Sequence, residues 1–147
     1  MKTLRTQLLG KNNCEMSGIK RALLDTNVII FASKNLIDIE QLLLEYEEFY
    51  VSLVTFMEVY GFAFTKEEEK ELVDELFENL EVVEINTAIA NKVVIYRREG
   101  SKKIKLPDAI ILATADFIGA DLVTDDWDDF KGIDDSVIVR NIDDLKI

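Results

Sequence analysis

Four carboxylates stand where apolar stretches of this 147-residue chain turn polar. Asp25 closes the run Ala22-Leu23-Leu24 and is followed by Thr26-Asn27 and a second apolar run, Val28-Ile29-Ile30. Glu58 follows Phe49-Tyr50-Val51-Ser52-Leu53-Val54, inside Thr55-Phe56-Met57-Glu58-Val59. Asp108 stands behind Leu106-Pro107 and ahead of Ala109-Ile110-Ile111-Leu112. Asp126 comes after Asp121-Leu122-Val123-Thr124-Asp125. An acid at such a junction reads singly as a helix cap or a dipole-favoured charge. Several together read differently, because unshielded carboxylates crowd badly unless a cation joins them. Hard oxygen donors of this kind suit Mg²⁺ or Mn²⁺. Glu58 and Asp108 lie in largely apolar segments, where a solvated acid is not expected.

The elements that must position these acids alternate between strands and helices. Short unbroken apolar runs read as buried parallel strands ending at Asp25, at Val54, within Glu81–Ile85, at Thr124 and within Ser136–Arg140. Helices are expected over Val28–Ser33, Ile37–Tyr46, from Thr55, over Ala88–Arg98 behind Asn86 or Thr87, and from Leu106 to about Ile118. Pro107 suits the first helical position and Gly119 a C-terminal stop. Thr65 and Glu68 have the spacing of a capping box ahead of a helix with Leu72, Val73, Leu76, Phe77 and Leu80 on one face. Glu67, Glu69, Lys70, Glu71, Asp74 and Glu75 read as its solvated face. The expectation is an α/β fold: helices on both faces of a central parallel sheet of about five strands. In such sheets ligands bind beyond the carboxyl ends of the strands, where these four acids would gather.

Residues 19–147 read as one domain, and residues 1–18 as a tail outside the fold in which Met16 could be an alternative start. The chain has no histidine and one cysteine, Cys14, which removes Ser–His–Asp chemistry and ordinary zinc sites. No run approaches a membrane span and no signal-peptide pattern is present, so a cytoplasmic location is expected. The net charge of −12 argues against broad electrostatic binding to duplex nucleic acid. The basic residues Arg97, Arg98, Lys102, Lys103 and Lys105 form the densest positive stretch; they suit either a solvated helix end or phosphate contacts.

The ordered set Leu24-Asp25-Thr26-Asn27-Val28-Ile29-Ile30, the Glu58 segment, Leu106-Pro107-Asp108-Ala109-Ile110-Ile111-Leu112-Ala113-Thr114-Ala115 and Leu122-Val123-Thr124-Asp125-Asp126 resembles the successive motifs of the PIN-domain family, and among its members the small ribonucleases of the VapC toxin type. The resemblance implies a three-layer α/β/α sandwich and RNA cleavage assisted by Mg²⁺ or Mn²⁺. It makes Asp25, Glu58, Asp108 and Asp126 the metal-site acids, with Asn27 and Thr124 as polar supports and Asp129 as a secondary acid. An antitoxin protein and a homodimer are implied partners, beside a single-stranded or structured RNA substrate. The competing readings are an RNA-processing factor, a catalytically idle interaction module, and a phosphotransfer protein using Asp25. The last lacks a second acid two residues on, where Asn27 stands, and no Gly-rich turn supports dinucleotide binding.

Overall fold

The computed structural model describes residues 18–147. The expected tail, apart from Gly18, lies outside the described residues, as do Cys14 and Met16. Strands β1 (Arg21–Leu24), β2 (Glu48–Ser52), β3 (Glu81–Val83), β4 (Asp121–Thr124) and β5 (Val139–Asn141) form one sheet in the order β3-β2-β1-β4-β5, every pairing parallel. Between them run α1 (Thr26–Ser33), α2 (Ile39–Glu45), α3 (Leu53–Tyr60), α4 (Glu67–Glu78), α5 (Thr87–Glu99), α6 (Leu106–Ile118) and the short α7 (Trp127–Phe130).

The strand period of two sorts the core into two layers. Ala22, Leu24, Phe49, Val51 and Val123 pack with Val28 and Ile29 of α1, Leu42 of α2 and Val73 of α4. Leu23, Tyr50 and Leu122 pack on the other side with Ile89 and Val93 of α5 and Ile111 and Leu112 of α6. With both faces covered, the central strands have no polar side, which is why they read as unbroken apolar runs. No helix among the described residues is long and apolar enough to cross a membrane.

The chain leaves β1 toward β2 and β3, then returns to add β4 and β5 on the other side of β1. Leu24 pairs with Val123, so the two strands that flank this switch in direction end side by side. A crevice beyond their carboxyl ends follows from the topology.

Several boundaries differ from the sequence expectation for local reasons. β2 stops at Ser52 rather than Val54, because the Ser52 hydroxyl accepts from the Val54 N–H at 3.2 Å and opens α3 at Leu53. Glu58 therefore sits in the second turn of α3, not the first. The capping box at Thr65 and Glu68 does not form: α4 starts at Glu67, Lys66 makes no side-chain cap, and Glu67, Glu68 and Glu69 crowd the positive end of the helix dipole. Glu69, expected on the solvated face, is 8% exposed and accepts from Lys34 Nζ at 3.3 Å. β5 begins at Val139 because Ser136 is taken up in a turn, its N–H donating to Asp134 Oδ1 at 3.0 Å.

Gly119 ends α6 with φ 66°, and a Cβ there would meet no atom within 4 Å. Replacing it with alanine therefore isolates the left-handed backbone strain. Gly119→Ala is expected to lower stability by roughly 1–2 kcal/mol, read as a lower urea midpoint with an unchanged slope.

Candidate active site at the carboxyl edge of the sheet

Asp25 follows β1 and caps α1. Its N–H continues the ladder to the Val123 carbonyl at 2.9 Å. Oδ1 accepts from the Thr26 N–H at 2.8 Å, and Oδ2 accepts from the Thr124 hydroxyl at 2.7 Å. Thr124, fully buried at the end of β4, accepts in turn from the Asp126 N–H at 2.9 Å. One threonine thus ties the acid of β1 to the loop that carries the acid after β4. Burial pushes the Asp25 carboxyl up to about 6, against the lowering effect of the Thr124 and Thr26 hydrogen bonds, with Asp108 and Asp125 raising it further.

Asp108 occupies the first turn of α6 and is half-buried. Burial raises its carboxyl, as do Asp129, Asp126 and Glu58, while Lys105 opposes them. Asp126 stands at the N-cap position of α7, makes no side-chain cap there, and is exposed. Its carboxyl is raised by a hydrogen bond with Asp129, then by burial and the charges of Asp129, Asp125 and Asp128. Glu58 is exposed, contrary to the expectation drawn from its apolar neighbours; Phe56 and Met57 beside it are exposed as well. Its Oε1 accepts from the Thr26 hydroxyl at 2.6 Å.

Asp25, Glu58, Asp108 and Asp126 line one open cleft of about 310 Å³, with Thr26, Asn27, Ile30 and Phe62 between them. A larger depression of about 570 Å³ at Lys34, Lys66 and Glu69 contains none of these four acids. Asn27 is an exposed residue of the cleft wall. Asp129 adjoins the cleft through Asp126 and Asp108. The basic residues divide. Lys103 and Lys105 line a hollow of about 110 Å³ with Asp108 and Asp129. Lys102 Nζ donates to the Asp128 carbonyl. Arg97 and Arg98 are exposed in the last turn of α5, away from the cleft wall.

The residues matched by the family model described as PIN domain run from 22 to 136 and include all four acids. The chain belongs to the PIN-domain family. This is a family of nucleases, and its three-layer arrangement is the one observed here. Among solved structures the chain is similar to a toxin–antitoxin complex from Klebsiella pneumoniae, with 34% identity over 80% of this chain and 96% of that one and a TM-score of 0.68. It is also similar to DNA-bound VapBC from Salmonella typhimurium, with 26% identity, 84% and 98% coverage and a TM-score of 0.69. VapBC2 from Rickettsia felis, bound to a promoter DNA fragment, shares the fold at 24% identity, 84% and 99% coverage and a TM-score of 0.71. No curated protein sequence matches the chain.

The PIN cleft's donor set suits a divalent cation. Every donor is a hard carboxylate oxygen, and Asp25, Asp108 and Asp126 each have a raised affinity for protons to which neighbouring acids contribute, so these three would gain from a positive charge. The Asp125 Oδ1 atom is buried without a hydrogen-bond partner among the described residues, next to Asp25. Such an oxygen calls for water or a cation. Among the described residues no three acids stand close enough together to form a ready-made metal site. An open wall is what Mg²⁺ uses, since it keeps several waters and takes only one or two carboxylates directly.

Sequence reasoning missed the hydroxyls of Thr26 and Thr55. Thr55 was expected to open α3; it lies inside the helix, fully buried, 3.2 Å from the Thr26 hydroxyl. Its position three residues before Glu58, on the same helix face, was the available signal.

Proposed function

We propose that the protein is a metal-dependent endoribonuclease, the toxin of a toxin–antitoxin pair, that hydrolyses RNA phosphodiester bonds at the four-acid cleft. The observation that carries this reading is the meeting of Asp25, Glu58, Asp108 and Asp126 in one cleft from four different parts of the chain, beside the point where the strand order switches from one side of β1 to the other. Asp25 and Asp108, the two less exposed acids, are assigned as direct holders of Mg²⁺ or Mn²⁺, with Glu58 and Asp126 reaching it directly or through water. Bound there, the cation would lower the pKa of a water and offset charge building on the phosphoryl group. With no histidine in the chain, a carboxylate of the cleft or a metal-bound hydroxide would take the proton of the attacking water.

Lys103 and Lys105 flank Asp108 and suit a phosphate of the RNA backbone next to the one being cut. Lys102 and the Arg97–Arg98 pair carry less of this role, since one is engaged at Asp128 and the others stand off the cleft wall. Lys105→Ala together with Lys103→Ala is expected to weaken RNA binding about equally across sequences and to flatten its salt dependence by about two counterions, read by fluorescence anisotropy at several salt concentrations.

The likeness to toxin–antitoxin complexes supports a protein antitoxin as partner; a homodimer is the assembly that the family resemblance implies. Phe56, Met57, Tyr60 and Phe62 are exposed on and beside α3, with Phe62 lining the cleft, an apolar surface of the kind that protein partners cover. Incubation of labelled single-stranded RNA with the protein in Mg²⁺, Mn²⁺ or EDTA tests the activity. Cutting with either metal and none in EDTA is expected; cutting undiminished by EDTA would refute the metal-dependent reading.

A further inference from the structure

Thr26 touches two of the cleft's acids by separate groups. Its backbone N–H donates to Asp25 Oδ1 at 2.8 Å, and its hydroxyl donates to Glu58 Oε1 at 2.6 Å. The hydroxyl has one proton to give and two lone pairs to receive. With the proton committed to the carboxylate, the 3.2 Å contact with Thr55 Oγ1 is then a bond that Thr55 donates. The chain of donors therefore runs Thr55 to Thr26 to Glu58. Its last link, at 2.6 Å, is the shorter of the two. Thr55 is fully buried, so its hydroxyl has no solvent to turn to.

Glu58 needs such a hold. It is exposed, and a free glutamate on a helix surface samples many rotamers. The bond joins α1, which follows β1, to α3, which follows the neighbouring β2. It carries the Glu58 carboxylate across the gap to the side of the cleft where Asp25 lies.

We propose that Thr26 is a positioning residue for the cation site: its hydroxyl, oriented by Thr55, holds the Glu58 carboxylate toward Asp25 so that both face one divalent cation. This rests on the metal-dependent reading and adds a residue to it. Thr26→Val keeps the β-branched shape and the backbone N–H to Asp25, and removes only the hydroxyl. Thr26→Ser keeps the hydroxyl.

The test is calorimetric titration of Mn²⁺ into the full chain, without RNA, for wild type, Thr26→Val, Thr26→Ser, Glu58→Gln and the Thr26→Val/Glu58→Gln double variant, with thermal melts confirming folding. Supporting metal ligands through a hydrogen bond is typically worth 10–100-fold in affinity, so Thr26→Val is expected to weaken Mn²⁺ binding roughly tenfold. Thr26→Ser should restore it, and the double variant should bind no more weakly than Glu58→Gln alone, because the two changes break one interaction. Unchanged binding in Thr26→Val, or additive losses in the double variant, would overturn the proposal while leaving the metal site standing. A wild type that takes up no Mn²⁺ would overturn the metal reading and the proposal with it.

Discussion

Asp108→Asn is expected to lower metal-dependent RNA cleavage at least ~100-fold, since changes one shell away from a metal already cost 10–100-fold, and to leave the protein folded and no less stable. The two halves of that expectation have one cause. Asp108 is held half-buried in the first turn of α6, where burial and the neighbouring acids Asp129, Asp126 and Glu58 already disfavour its charge. Asparagine keeps the shape and the helix start, relieves the repulsion, and loses the oxygen charge that a cation needs. Activity lost together with stability gained is the mark of a residue retained for chemistry against the interest of the fold. Cleavage rates at saturating Mn²⁺ and urea midpoints in EDTA measure the two halves. A variant that loses activity only because it unfolds would place Asp108 in the scaffold instead.

Raising the pH in EDTA should cost the protein stability, and Mn²⁺ should reverse the trend. Asp25 has its carboxyl raised in the folded protein from 3.8 to about 6. The folded form therefore binds the proton more tightly than the unfolded chain, and this favours folding fully below pH 3.8 and is lost as the pH rises through 6. The difference is worth roughly 3 kcal/mol. Asp108 and Asp126 are raised too and act in the same direction. Asp134, lowered by hydrogen bonds with Ser136 and Tyr96 that outweigh its burial, acts oppositely but below its ordinary value of 3.8, outside this window. Urea unfolding at pH 5 and pH 8 in EDTA should show wild type losing stability across this interval relative to Asp25→Asn. Added Mn²⁺, which binds the ionised acids, should stabilise wild type far more at pH 8 than at pH 5. Parallel profiles for wild type and Asp25→Asn would show that Asp25 is ionised throughout.

The sheet and the positions of the acids were legible because each depends on short-range pattern. Leu23-Leu24 and Leu122-Val123 are buried on both sides, so their apolar runs needed no tertiary information to read as strands. Pro107 and Gly119 bracket α6 through backbone chemistry alone. What the sequence withheld depends on contacts between distant segments. Ser52 and Thr55 are both plausible caps, and only the fold decides, by giving Ser52 the exposed N–H of Val54 and Thr55 the hydroxyl of Thr26. Glu69 looks like one more surface acid until Lys34, thirty-five residues away, comes to meet it. Glu48 reads as a surface acid, yet it is 1% exposed; the Tyr50 hydroxyl of its own strand donates to it at 2.7 Å, and Arg21 Nε donates at 2.9 Å only once β1 and β2 pair. The basic stretch was the least readable part: its five residues adjoin in sequence, but α5 carries two away while the turn before α6 returns Lys103 and Lys105 to Asp108.

The most direct test of the site itself is a crystal of the protein soaked in Mn²⁺, with anomalous difference density collected near the manganese edge. A peak is expected in the cleft between Asp25 and Asp108, within direct or water-bridged reach of Glu58 and Asp126, and it should be lost in the Asp25→Asn crystal. A protein that cuts RNA only with Mn²⁺, yet shows no manganese in this cleft or holds it elsewhere, would contradict the assignment of these four acids.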